Sequence, residues 1–196
     1  MKVYEKEGSV YVAELLDFNL KDIFDSGQCF RWNLEADGTY TGVAYGKVLN
    51  VSYVDNTLRL EGSTLADYEQ IWKKYFDIER DYSKIKETLS KNDSIMKEAV
   101  AYGGGMRILK QEKWETLISF IISQNNNIPR IKKCIETLCI THGEHLGEYK
   151  GKDYYSFPTY EKLAAIKENE LDLCRFGYRA SYIYNTAKKI QSNGIS

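Results

Sequence analysis

Between residues 37 and 62 the chain alternates. Thr39, Thr41 and Val43, then Leu49, Val51 and Tyr53, then Leu58 and Leu60 fall at every second position, the period of strands that turn one face inward. Asp37-Gly38, Tyr45-Gly46 and Asp55-Asn56 punctuate these runs, so the stretch predicts an antiparallel meander of hairpins. From about Ser63 the period lengthens to that of a helix, with Leu65, Tyr68, Ile71, Trp72 and Tyr75 on one apolar stripe. Short helices are expected through Ile85, Leu89 and Met96, and Gly103-Gly104-Gly105 reads as a connector between domains.

Beyond that connector the whole chain reads as helix. Trp114, Leu117, Ile118, Ile121 and Ile122 recur at the spacing of a well-buried helix, and Ile131, Ile135 and Leu138 mark another that starts near Pro129. Thr159 is a candidate N-cap. Gly177 separates a short helix around Leu171 from a last one through Ala180, Ile183, Ala187 and Ile190. A strand-rich part followed by a helical part predicts an α+β fold: an antiparallel β domain with helices over residues 1–100 and a helical domain over 101–196.

Composition narrows the class. With 196 residues, 43% hydrophobic and 13% aromatic, the chain can bury a core. No run approaches the roughly 18 apolar residues of a membrane span, and MKVYEKEGSV lacks the apolar stretch of a signal peptide. A cytoplasmic protein without membrane partners is expected, nucleoid-associated if bacterial. Cys29, Cys134, Cys139 and Cys174 have no C-x-x-C spacing, so buried free thiols are expected and no metal site. The net charge of −1 hides an asymmetry: residues 1–99 carry 13 basic and 18 acidic side chains, residues 100–196 carry 14 and 10. Local cation density, and not the total, governs affinity for polyanions, so the second half is compatible with a phosphate-rich partner.

Candidate catalytic chemistry is sparse. His142 and His145 in THGEHLG stand three apart without a third ligand, which reads as a solvated loop. Nucleophile-elbow, phosphate-loop and dinucleotide motifs are missing, so no cofactor is expected. Two stretches resist a purely structural account. In SGQCFRW (residues 26–32) Gly27 allows unusual backbone angles and bares its carbonyl, although a simple turn before the strand led by Phe30 and Trp32 would also use it. In SFIISQNNNIPRI (119–131) one asparagine can end a helix and another can start the next, leaving the middle one merely tolerated.

SGQCFRW, WETLISFIISQNNNIPRIKK and FPTYEKLAAI…FGYRASYI, in this order and with these separations, resemble the 8-oxoguanine DNA glycosylases of the helix-hairpin-helix (HhH-GPD) superfamily. The resemblance covers nearly the whole chain. It implies a TBP-like N-terminal β domain followed by an incomplete HhH-GPD helical domain, and double-stranded DNA containing oxidised guanine as partner. Gly27 would offer its main-chain carbonyl to N7 of the extruded base, which bears a hydrogen in 8-oxoguanine and a lone pair in guanine. Asn125 would fill the gap left in the duplex, Arg130 and Arg179 would donate to the orphaned cytosine, and Tyr178 would wedge beside it. Lys132, Lys133, Lys188 and Lys189 are candidates for phosphate contacts.

The family's nucleophilic lysine, at the end of a hairpin with a Leu-Pro-Gly-Val-Gly type turn, and its assisting aspartate find no match. They are expected beyond Ser196, so the chain is expected to be an inactive N-terminal portion, with an apolar seam that invites self-association. Two other readings stay open at this level: a catalytically silent module that binds lesions, and a glycosylase for alkylated bases on the same fold.

Overall fold

The computed structural model describes residues 1–194. The chain packs as two compact units, one of residues 1–28, 32–42 and 49–110, the other of residues 29–31, 43–48 and 111 onward.

The strands β1 (Lys2–Lys6), β2 (Ser9–Ala13), β3 (Trp32–Leu34), β4 (Tyr40–Ala44), β5 (Lys47–Val54) and β6 (Thr57–Glu61) form one sheet in the order β1-β2-β6-β5-β4-β3, all of it except residues 43, 44, 47 and 48 in the first unit. The meander expected from the alternation is β4 to β6. The strands β1 and β2 extend it, with Val10 opposite Leu60 and Val12 opposite Leu58, all fully buried. The alternating pattern is invisible in β1 because this edge strand, KVYEK, is almost wholly exposed; its charges discourage further strand pairing.

Helix α1 (Leu20–Phe24) is capped by the Asn19 side chain, which accepts from the Lys21 and Asp22 amides. The expected stripe at 65–75 forms α2 (Leu65–Asp67), a π-helical turn (Tyr68–Trp72) and α3 (Lys73–Tyr75); Tyr68, Trp72 and Tyr75 are buried while Leu65 is exposed. Trp72 and Tyr75 join an aromatic cluster in which Phe24 stacks on Trp32 at 4.4 Å. The buried Trp32 Nε1 donates to Tyr75 Oη at 2.7 Å. A Tyr75→Phe variant, which removes that buried hydrogen bond, is expected to lose about 1–2 kcal/mol of stability by urea denaturation.

Helices α4 (Tyr82–Ser90) and α5 (Ser94–Tyr102) are capped by Asp81 and Asp93. The glycine triplet after α5 is no connector. Gly105 accepts from Asn19 N at 2.9 Å and donates to Asp22 Oδ2 at 3.0 Å, and a Cβ there would lie 2.2 Å from that of Asn19. Glycine is needed for this close approach, which anchors the segment inside the first unit. The buried Arg107 follows, donating to the carbonyls of Leu16, Asp17 and Asp77. Lys110 is the last residue of the first unit, and residues from 111 onward belong to the second.

The second unit contains α6 (Lys113–Ser123), α7 (Ile128–His142), β7 (His145–Tyr149), β8 (Lys152–Tyr155), α8 (Tyr160–Ala165), a 3₁₀ segment (Glu168–Cys174) and α9 (Arg179–Asn193). Ile118 and Ile122 of α6, Ile135 and Leu138 of α7, Leu163 of α8 and Ile183 and Ala187 of α9 share one core, as the helical spacing predicts. The hairpin β7–β8 corrects the expectation of an all-helical second part. Its turn, Lys150-Gly151, has φ of 51° and 74°, a pair of positive angles that suits a tight hairpin. His142 and His145 do not share a loop: His142 is buried in the last turn of α7, and exposed His145 pairs with Asp153 at 2.8 Å across the hairpin. Among the described residues no helix is long and apolar enough to cross a membrane.

Candidate nucleic-acid interface

The three asparagines between α6 and α7 do three different things. Asn127 caps α7, its side chain accepting from the Arg130 amide at 3.0 Å. Asn126, the middle one, donates from Nδ2 to the Ile122 carbonyl at 3.0 Å and so satisfies the end of α6. Asn125 stands apart. Its backbone is left-handed, with φ of 49°, a conformation that costs asparagine less than most residues. Its side chain is exposed and, among the described residues, makes no hydrogen bond. The residue without a structural duty is thus the first of the triplet.

Arg179 holds this turn from beneath. Only 5% exposed, it donates from Nε to Gln124 O at 2.9 Å, from Nη1 to Phe176 O at 3.2 Å and from Nη2 to Asn125 O at 3.0 Å, with a further Nη2 bond to Gln124 O. A planar guanidinium fork can serve several carbonyls at once; a lysine cannot. Its carbon also sits 4.5 Å from the ring of Tyr178, which is exposed at the N-terminus of α9 and packs edge-on against Tyr182. Gly177, with φ of 61°, turns the chain into that helix. Arg130 is exposed and reaches Arg175 O at 3.4 Å. The second unit therefore gathers Asn125, Arg130, Tyr178 and Arg179 around one helix junction, with Arg179 turned inward and the other three outward.

Gly27 belongs to the first unit. It is exposed, with φ of 82°, and no hydrogen bond among the described residues ends on its carbonyl. Gln28 fixes the loop around it: Nε2 donates to the carbonyls of Ile23 and Arg107, both at 2.9 Å, and Oε1 accepts from Leu109 N at 2.9 Å. No motif in the sequence marks this glutamine. A long amide beside a glycine of special geometry is the signal that could have found it.

Other candidates for chemistry recede. All four cysteines are free and buried, and burial pushes the thiols of Cys139 and Cys174 up to about 12, which leaves them protonated and inert. No cluster of three or more His, Cys, Asp or Glu suited to a metal ion occurs among the described residues. Glu115, in the second unit, pairs with Arg31 at 3.4 Å; burial still raises its carboxyl to about 7, outweighing that attraction. Lys188 lies 5.1 Å from the Tyr184 ring, and Lys133, Lys188 and Lys189 are exposed.

A family model described as 8-oxoguanine DNA glycosylase, N-terminal domain, matches residues 10–117, and another, HhH-GPD superfamily base excision DNA repair protein, matches residues 118–194. The chain belongs to the 8-oxoguanine DNA glycosylase family of the HhH-GPD superfamily. Among its relatives, the N-glycosylase/DNA lyase OGG1 of Arabidopsis thaliana is 30% identical over 179 residues, 86% of this chain and 47% of its own length. The Clostridium acetobutylicum 8-oxoguanine glycosylase/lyase, solved with double-stranded DNA containing cytosine opposite 8-oxoguanine, is 42% identical with a TM-score of 0.95; the match covers 100% of this chain and 67% of that one. MBOgg1, solved with a low-affinity DNA ligand, is 51% identical with a TM-score of 0.96 and the same coverage. The chain thus spans about half the length of that curated relative and two thirds of the two solved proteins.

Proposed function

We propose that this chain carries the damage-reading part of a base-excision repair enzyme that turns 8-oxoguanine out of duplex DNA opposite cytosine and, as a whole protein, cuts its N-glycosidic bond and then the strand. The observation that carries the reading is Asn125: an exposed amide held in left-handed backbone by its neighbours, with no structural task. Such a group can enter the space vacated by an extruded nucleotide and bond to the orphaned base. Extrusion costs a few kcal/mol, and Asn125, Arg130 and Tyr178 offset it. Arg179 contributes to the same end, in the free protein by bracing the turn. The Gly27 carbonyl would discriminate at N7, where 8-oxoguanine donates and guanine does not, a difference of roughly 1–3 kcal/mol. The nucleophilic lysine and assisting aspartate are expected outside these 196 residues, and the chain alone is expected to bind without cutting.

The test is direct. A duplex with one 8-oxoguanine opposite cytosine, titrated by fluorescence anisotropy, should bind more tightly than the undamaged duplex. Asn125→Gly keeps the positive φ and removes the amide. It should weaken lesion binding by about tenfold while thermal unfolding moves by less than ~1 kcal/mol. Equal affinities for the two duplexes in the unsubstituted protein would contradict the assignment. Borohydride trapping should capture a covalent complex with a longer form that includes the lysine, and none with this chain.

A further inference from the structure

A second cationic feature of the helical unit shares only Arg130 with that reading. Arg130, Lys133, Cys134 and Thr137 of α7, with Leu173 and Cys174 of the 3₁₀ segment and the following Arg175, line a pocket of about 480 Å³. Three of its seven walls are cations and none is a carboxylate. Among the described residues, Arg130, Lys133 and Arg175 have no acidic partner within ion-pair distance. The nearest acid along α7, Glu136, is turned away to Lys152 at 2.9 Å. The floor adds no compensation, because burial holds the Cys174 thiol protonated and the Thr137 hydroxyl donates to Lys133 O at 2.9 Å.

The arrangement is built. Arg175 takes a left-handed backbone with φ of 55°, and its carbonyl accepts from Arg130 Nη2, which ties the two arginines across the pocket. Three like charges gathered around one concavity repel each other in the free protein. A bound anion reverses the sign of that energy, and two arginines with a lysine are the donor set that suits phosphate oxygens. The volume falls within the range of ordinary ligand pockets, roughly 300–1,000 Å³, and so admits a phosphate with its flanking sugar.

We propose that this pocket seats a phosphodiester group of the DNA backbone, with Lys133 and Arg175 as positioning contacts beside the base-reading turn. The inference rests on the DNA-binding function proposed above and extends it to a site that carries no base information. A phosphate clamp on α7, with Lys133 roughly two helical turns from Asn127, would register the duplex before Asn125 can enter it. Free phosphate or a nucleotide shares the chemistry, and the experiment separates these sources.

The full chain and its Lys133→Gln/Arg175→Gln double variant are titrated with lesion-bearing and undamaged duplexes at several salt concentrations. Both residues are exposed, so the fold is expected to survive, with circular dichroism melting as the check. The slope of log affinity against log salt should fall by about 1 for each cation lost. Affinity should drop on the order of tenfold for both duplexes alike, leaving their ratio unchanged. An unaltered slope with lesion preference intact overturns the phosphate site and leaves the repair function standing. A reduced slope in a protein without lesion preference does the reverse. Saturation of the unsubstituted chain by sub-millimolar inorganic phosphate, followed by NMR at Thr137 and Leu173, would assign the pocket to a free anion and overturn the proposal.

Discussion

An Arg179→Ala variant is expected to lose about 2–4 kcal/mol of stability and, with it, the ability to tell lesion from normal duplex. Four hydrogen bonds from one buried guanidinium end on the carbonyls of Gln124, Asn125 and Phe176. Removing the side chain opens a cavity and leaves charge-assisted bonds unmade, which is why the loss should exceed that of an ordinary surface change. Arg179→Lys should recover only part of it, since an ammonium on a flexible stem cannot span three carbonyls in fixed directions. Urea denaturation measures the first effect and anisotropy the second. A variant as stable as the unsubstituted protein, with Asn125-dependent binding intact, would remove Arg179 from the brace.

The second large effect concerns pH. Glu115 titrates near 7 in the folded chain against about 4.5 unfolded, because burial outweighs the pull of Arg31 and the nearby Glu112 pushes the same way as burial. The folded state then binds more protons than the unfolded state between these values, so stability falls as pH rises. The contribution is fully present below pH 4.5 and is lost through pH 7. Its size is on the order of 3 kcal/mol. His142, whose protonated form burial disfavours, works in the opposite sense: it destabilises the fold as pH drops below the range of a free imidazole. A Glu115→Gln variant separates the two. Its stability should match the unsubstituted protein near pH 4.5 and exceed it near pH 7.5, in urea unfolding at each pH. Parallel curves across this range would mean that the pair stays ionised throughout.

Much of this was legible from residues alone. The meander of β4 to β6 followed from alternation, and the helices α6, α7 and α9 from their apolar stripes, because a face that must be buried writes its period into the chain. The resemblance carried by the asparagine and Gly-Tyr-Arg stretches named the family now assigned from matches over residues 10–194. What escaped were elements without a buried period. The strand β1 is exposed along nearly its whole length, and β7–β8 is a short hairpin with little buried surface, signalled only by Lys150-Gly151. The glycine triplet looked like a linker because local composition cannot distinguish a flexible glycine from one pressed against Asn19.

For the candidate interface the division is sharper. The family resemblance in the sequence singled out Asn125, Arg130, Tyr178 and Arg179 as candidates, since their types match groups that read and plug a duplex. That one asparagine ends α6 and another starts α7 was expected from the sequence; that the middle one does the first of these tasks was decided by tertiary structure, as was the inward turn of Arg179. Those outcomes depend on where backbone carbonyls from residues 124, 125 and 176 converge, some fifty positions apart in sequence. Hydrogen-bond direction is a property of space, and no local pattern encodes it.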